Sequence, residues 1–218
     1  MTNLVNELQI SAEQDDVLTV LRKTMRFASK LNRKDISDWL QLEQSGYPDN
    51  QDVPDYRKIR ISIAFITNGF VPAGFGQIMN GVQNLPSSGD FGIMPIGSPI
   101  STVQTWIASL DKEGGGLYEP ADEEQDQFLR SMYRFDPVFA KQITLLLCLN
   151  SAQVRAIPER IKDKVLVWAC TLEQAGVTGE GMSFSTQEKE IAHSITFNIS
   201  DSHIEQLNNM GNNRKGNR

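Results

Sequence analysis

The residues between Asp35 and Ile66 constrain the fold most, because within them the apolar period changes from three-and-four to two. In the first part Ile36, Trp39 and Leu40 share one helical face, with Asp35 placed to cap the helix and Gly46 placed to end it in a left-handed conformation. Pro54 then favours a turn or extended entry, and Tyr56 and Arg57 set an aromatic ring beside a guanidinium. Over 58–66, Ile59, Ile61, Ile63 and Phe65 alternate with Lys58, Arg60, Ser62 and Ala64, the pattern of a half-buried strand. A chain that hands a helix to a strand across one short turn must pack two kinds of layer together.

Upstream, residues 2–9 read as a short helix, and Ser11-Ala-Glu-Gln14 reads as a capping box opening a second one. Val17, Leu18, Leu21, Met25, Ala28 and Leu31 form its buried stripe, leaving Arg22, Lys23 and Arg26 on other faces. Downstream, 67–85 is glycine-rich and reads as loops with at most one short strand, and 91–96 reads as a strand. Ser98-Pro99 starts a helix with Val103, Trp106, Ile107 and Leu110 on one face, ended by Gly114-Gly115-Gly116. Pro120-Ala-Asp-Glu-Glu124 opens another helix. The apolar run 140–149 fits a strand or a buried helix. A short helical piece then precedes a long helix over 158–175, with Trp168 buried and Gly176 as its stop. Ser185-Thr-Gln-Glu188 is a second capping box, and 195–199 reads as a terminal strand. Beyond Ser200 the chain turns polar and is expected to be flexible.

The expectation is therefore an α+β fold over residues 1–199. A helical subdomain (1–50) packs on a small mixed or antiparallel sheet with further helices (51–199), followed by a polar tail (200–218). A formal charge of −6 argues against binding nucleic acid through bulk charge, leaving only a local patch. Met1-Thr2-Asn3-Leu4 lacks a basic region followed by an apolar run, so no secretory signal is expected and the cytoplasm is the expected location. No membrane association is expected.

Catalytic chemistry is hard to assemble from these residues. Cys148 and Cys170 lie in apolar surroundings without metal-ligand spacing, and read as buried thiols. His193 and His203 have no partner at zinc spacing. The glycines around Gly74-Phe-Gly76 lack a Walker lysine and serine. The acid pairs Asp15-Asp16 and Glu123-Glu124 sit at helix starts, where carboxylates stabilise the helix dipole. Neither a metal nor a cofactor is expected, and the catalytic residues remain unassigned. Tyr56, Arg57 and Arg60 form the candidate ligand or nucleic-acid patch, since such a cluster can neutralise phosphate and stack a base. The same residues serve equally as a brace in which Arg57 pairs with Asp35 or Asp38. Trp39, Gly46, Tyr47, Pro54, Trp168 and Gly176 are assigned structural roles.

Several pieces together resemble one known family. They are Leu4-Val-Asn-Glu-Leu-Gln9, Val20-Leu21-Arg22-Lys23, Trp39 with Gly46-Tyr47, and Pro54-Asp55-Tyr56-Arg57. A later piece is Val165-Leu-Val-Trp168-Ala-Cys-Thr-Leu-Glu173-Gln-Ala-Gly176-Val with Gly179-Glu180-Gly181-Met182-Ser183-Phe184-Ser185. Over roughly 3–195 the chain resembles the AbiTii family of bacterial abortive-infection proteins. It departs from the expected glutamate-leucine pair before the glycine and tyrosine by carrying Glu43-Gln44-Ser45. The resemblance implies participation in antiphage defence, with another protein of the same locus or a second copy as partner. It supplies no catalytic residue. A metal-dependent nuclease toxin and a nucleic-acid or nucleotide sensor are the alternatives.

Overall fold

Three helices open the chain: α1 (Leu4–Gln14), α2 (Val17–Lys30) and α3 (Lys34–Ser45). A 3-10 turn (Asp55–Arg57) leads into β1 (Lys58–Thr67), followed by β2 (Gln83–Asn84), β3 (Ile93–Pro95), α4 (Ile100–Glu113) and β4 (Leu117–Pro120). The second half comprises α5 (Glu123–Tyr133), α6 (Pro137–Ala140), β5 (Ile143–Leu149), α7 (Ser151–Gln174) and α8 (Thr186–Ser194). This computed structural model describes residues 3–67, 83–84, 92–113, 117–133, 137–141, 143–180, 183–197 and 199. Most of the glycine-rich 67–85 stretch, the Gly114 to Gly116 stop, His203 and the polar tail lie outside the described residues.

The fold is α+β, with an antiparallel sheet. β1 pairs with β5 along one edge, from Ile61 opposite Leu149 to Thr67 opposite Ile143. Its other edge takes β3 beside Lys58 to Arg60 and β2 beside Ser62 and Ile63. β4 lies beyond β5. The run 140–149 resolves as a strand because Ile143, Leu145, Leu147 and Leu149 are buried while the residues between them are half-buried. Together with Ile59, Ile61 and Ile63 of β1 they make the sheet's core face. Burying each such side chain contributes about 1.5–3 kcal/mol.

α7 joins the two layers. It packs against α1, α2 and α4 and also touches β1 and the 3-10 turn. The helical layer is thus built from both ends of the chain, and α1 to α3 complete it only with α7. The helix runs unbroken from Ser151 to Gln174 through Pro158, where a short piece and a new start were expected. Proline forfeits one amide donor there, but buried Val154 and Ile157 continue the stripe of Ile161, Val165 and Trp168 across it. Packing outweighs the local break. At the far end Gly176 has φ +83°, its amide donates to Glu173 and that of Val177 to Leu172, which closes the helix in a Schellman motif.

Other local expectations are corrected. The Ser11 box does not open a helix: Ser11 is buried inside α1, its hydroxyl donates to Asp15 at 2.5 Å, and Asp16 caps α2 by accepting from the Thr19 amide. Asp35 does not cap α3; both its oxygens accept from the guanidinium of Arg33. Cys148 and Cys170 are half-buried rather than buried. Cys148 points to the outer side of β5, and Cys170 lies beside Gln9 where α1 meets α7. The 195–199 stretch joins no ladder among the described residues, and its ring Phe197 instead enters a gap between Trp39 and Trp168. The Ser185 box is present as expected, with Ser185 and Glu188 each accepting from the other's amide.

Candidate functional site

α3 presents Ile36, Trp39, Leu40 and then Glu43 on its buried face. That spacing carries a carboxylate into the core, where it needs a cation. The cation is Arg57, held at the end of the 3-10 turn whose first carbonyl, from Pro54, accepts the Arg57 amide at 2.8 Å. Both side chains are fully buried, and Arg57 Nη2 lies 2.5 Å from Glu43 Oε2. Arg57 Nε also faces both Glu43 oxygens at 3.1 and 3.2 Å. Nη1 donates to the carbonyls of Ile96 and Ser98, each at 2.9 Å. The partner of Arg57 is therefore Glu43, neither Asp35 nor Asp38.

Two tyrosines complete the carboxylate's shell. Tyr47 donates to Glu43 Oε1 at 2.7 Å and Tyr56 to the same oxygen at 2.5 Å, while Trp39 Nε1 donates to the Tyr56 oxygen at 2.9 Å. The guanidinium also lies 5.2 Å from the centre of the Tyr47 ring. Burial first, and then the Glu43 charge, push both phenols far above their usual range, so they stay protonated donors. Burial opposes the charge on Arg57, but the hydrogen bonds and charge of Glu43 outweigh it and raise its pKa. The arrangement is a polar brace tying α3, the 3-10 turn and the loop before α4.

Gly46 lets that brace close. With φ +94° it turns the chain so that the Tyr47 amide donates to the Gly97 carbonyl at 2.8 Å, and a Cβ at Gly46 would sit 2.9 Å from that oxygen. An open depression of about 500 Å³ lies beside it, lined by residues including Ser45, Pro48, Asp49 and Pro99, and shares Tyr47 and Ser98 with the brace. A smaller one of about 250 Å³ lies where Asp16, Gln104, Asp111 and Lys162 converge.

The structure thus places Tyr56 half-buried and Arg57 buried in the brace, while the Arg60 side chain is exposed on β1, its amide donating to Gln153 and its carbonyl accepting from the Asn150 amide. Trp39, Tyr47 and Gly46 belong to the same assembly, and Pro54 supplies its turn. Trp168 lies apart on α7 with a buried Nε1 that has no partner. His193 is exposed in the last turn of α8. Glu123 and Glu124 are exposed at the start of α5, and no group of three metal-ligating side chains forms among the described residues. Glu43 is the residue that sequence reasoning missed. Its signal was present: an acid at the next step of an otherwise apolar stripe.

The AbiTii family model matches residues 3–197. The chain belongs to the AbiTii family. Membership makes it a bacterial abortive-infection defence protein. The match spans every part of the AbiTii brace, from Trp39 and Glu43 through Tyr56 and Arg57 to Ser98, as well as α7. Comparison with curated proteins and with solved structures returns no match. Among the described residues, no helix of this AbiTii protein is long and apolar enough to cross a membrane.

Proposed function

We propose that this AbiTii protein serves antiphage defence through protein contacts, as the sensor, regulator or effector subunit of a defence locus, with another product of that locus or a second copy as partner. The observation that supports this reading is the burial of the Tyr56–Arg57 pair. The guanidinium that a phosphate would seek is held by Glu43 and two carbonyls, so the most suggestive recognition motif in the chain stabilises the interior. Exposed Arg60 is left as the open cation of that patch.

The test has two parts. Phage plating on cells carrying the intact locus is compared with plating on cells whose locus lacks this gene alone, and protection is expected to disappear with the gene. Full-length protein purified from cells expressing the whole locus is expected to bring one other product of the locus, or a second copy of itself, in fixed ratio. Unchanged protection refutes the defence role. Protection that depends on the gene while the protein purifies as a monomer without partners refutes the contact mechanism.

A further inference from the structure

α7 turns one stripe into the core and leaves the opposite one largely open. Ala156, Arg160, Asp163, Val167, Cys170 and Gln174 recur at spacings of four and three, so they share one face, opposite the buried stripe of Ile161, Val165 and Trp168. Arg160, Asp163, Val167 and Gln174 are exposed, and Ala156 and Cys170 are half-buried. Val167 is 60% exposed, although Val154 and Val165 of the same helix are fully buried. A second exposed apolar side chain, Ile10, lies on the neighbouring α1, one residue past the Gln9 whose side-chain amide donates to Glu173 of α7.

The charges on this face follow an order that inverts on itself. Arg160 and Asp163 lie about one turn apart, and neither has an ion-pair partner among the described residues. When two copies of α7 cross antiparallel about the point midway between them, Arg160 of each copy faces Asp163 of the other. The same operation sets Ala156 of each copy against Val167 of the other. Glu159 and Lys164 repeat the inversion one step out, in addition to their contacts within the chain, Glu159 with Lys162 at 3.5 Å and Lys164 5.4 Å from the centre of the Tyr56 ring. The face therefore meets its own copy with an opposite charge for each charge and an apolar neighbour for each exposed valine. A parallel copy would set like charges together, and a partner of one sign, such as nucleic acid, would match Arg160 and repel Asp163.

We propose that the outer face of α7 is a self-association surface, on which a second copy of this chain docks antiparallel about a two-fold axis between Arg160 and Asp163. Two Arg160–Asp163 pairs fix the register, and two Ala156–Val167 contacts cover the exposed valines. The proposal rests on the contact reading above and commits it to a second copy as the partner. An interface confined to one helix and its flank falls in the small class, below about 1,200 Å², so the dimer is weak, with a dissociation constant on the order of 10 μM.

Sedimentation equilibrium of the full chain from about 1 to about 300 μM tests it, and the wild type is expected to pass from monomer to dimer across that range. Arg160→Asp sets carboxylates against each other on both sides of the axis, and Asp163→Arg does the same with guanidinium groups. Each variant alone is expected to weaken dimerisation at least about tenfold with melting unchanged, since both positions are exposed. Mixed in equal amounts, the two variants match every charge across the axis and are expected to associate within about threefold of the wild type. A wild type that stays monomeric over the range, or a dimer indifferent to both variants, overturns the proposal. So does a mixture that associates no better than either variant alone, or loss of cooperative melting in either variant. A monomer that still copurifies with another product of the locus overturns the second copy and leaves the contact reading standing; a monomer that copurifies with nothing overturns both.

Discussion

Replacing Glu43 by Gln tests the brace most sharply, because it changes charge while nearly conserving shape. Glutamine still offers one oxygen to Tyr47 and Tyr56, so the loss concentrates on Arg57. That guanidinium is fully buried, and without the carboxylate it loses its counter-charge and is left with neutral acceptors, chiefly the carbonyls of Ile96 and Ser98. Leaving one member of a buried ion pair uncompensated costs about 3–5 kcal/mol. The retained tyrosine bonds put Glu43→Gln near about 3 kcal/mol, and Glu43→Ala, which adds a cavity and orphans both phenols, nearer about 5 kcal/mol. With a urea slope of about 2 kcal/mol/M, the Glu43→Gln midpoint falls by about 1.5 M. Equilibrium urea unfolding followed by circular dichroism measures it. Arg57→Ala is expected to cost a similar amount, and the double variant to fall short of the summed losses by about 2 kcal/mol or more, since both changes remove the same pair. A Glu43→Gln loss under about 1 kcal/mol, or additivity within about 0.5 kcal/mol, would refute the reasoning.

Further outcomes follow from other sites. Gly46→Ala forces a side chain into φ +94° and against the Gly97 carbonyl, and should lower stability by about 1–3 kcal/mol, read as a drop in melting temperature. Glu188 accepts from the amides of Thr178, Gly179 and Ser185; burial opposes its charge, but these bonds hold its pKa down at about 2, against an ordinary 4.5. A folded pKa below the unfolded one contributes stability above about pH 4.5 that disappears as pH falls toward about 2, so Glu188→Gln should cost about 1–2 kcal/mol at pH 7, after discounting for solvent screening, and nearly nothing near pH 2. The raised phenols work in the other direction: stability from Tyr47 and Tyr56 is full below pH 10 and falls as pH climbs above it, a decline that Tyr47→Phe should lessen in alkaline melts. Arg60→Ala should leave stability within about 0.5 kcal/mol; if it abolishes a salt-sensitive affinity for single-stranded RNA or DNA, the nucleic-acid reading replaces the contact reading.

The fold was legible wherever one local pattern had no competitor. The alternation along β1 from Lys58 to Ile63, Gly46 and Gly176 as helix ends, and the Ser185 box all depend on neighbours a few residues away, and all appear in the structure, while the Ala64 and Phe65 side chains lie outside the described residues. Local patterns failed where a buried face competed with them. Ser11 matches a cap sequence, yet it lies on the α1 face with Leu4, Leu8 and Ala12, and burying that face keeps the helix running through it. Pro158 matches a helix start, yet Val154 and Ile157 make burial continuous across it. For the brace, an acid in the apolar stripe of α3 was visible, but its choice of cation was not. Asp35 and Asp38 are as near to Arg57 in kind as Glu43 is, and only the turn of the chain at Gly46 brings the three elements together.

By itself, the sequence determined the period of each segment, the change from helix to strand after Tyr47, and membership of the AbiTii family, because these reside in residue types and short spacings. Only the tertiary structure decided that Arg57 faces inward to Glu43, that α7 closes the helical layer begun by α1, and that Phe197 fills a slot between two indoles rather than extending a sheet. Each of those joins residues far apart along the chain. Their energies come from desolvation and packing, which exist only once the whole core has formed.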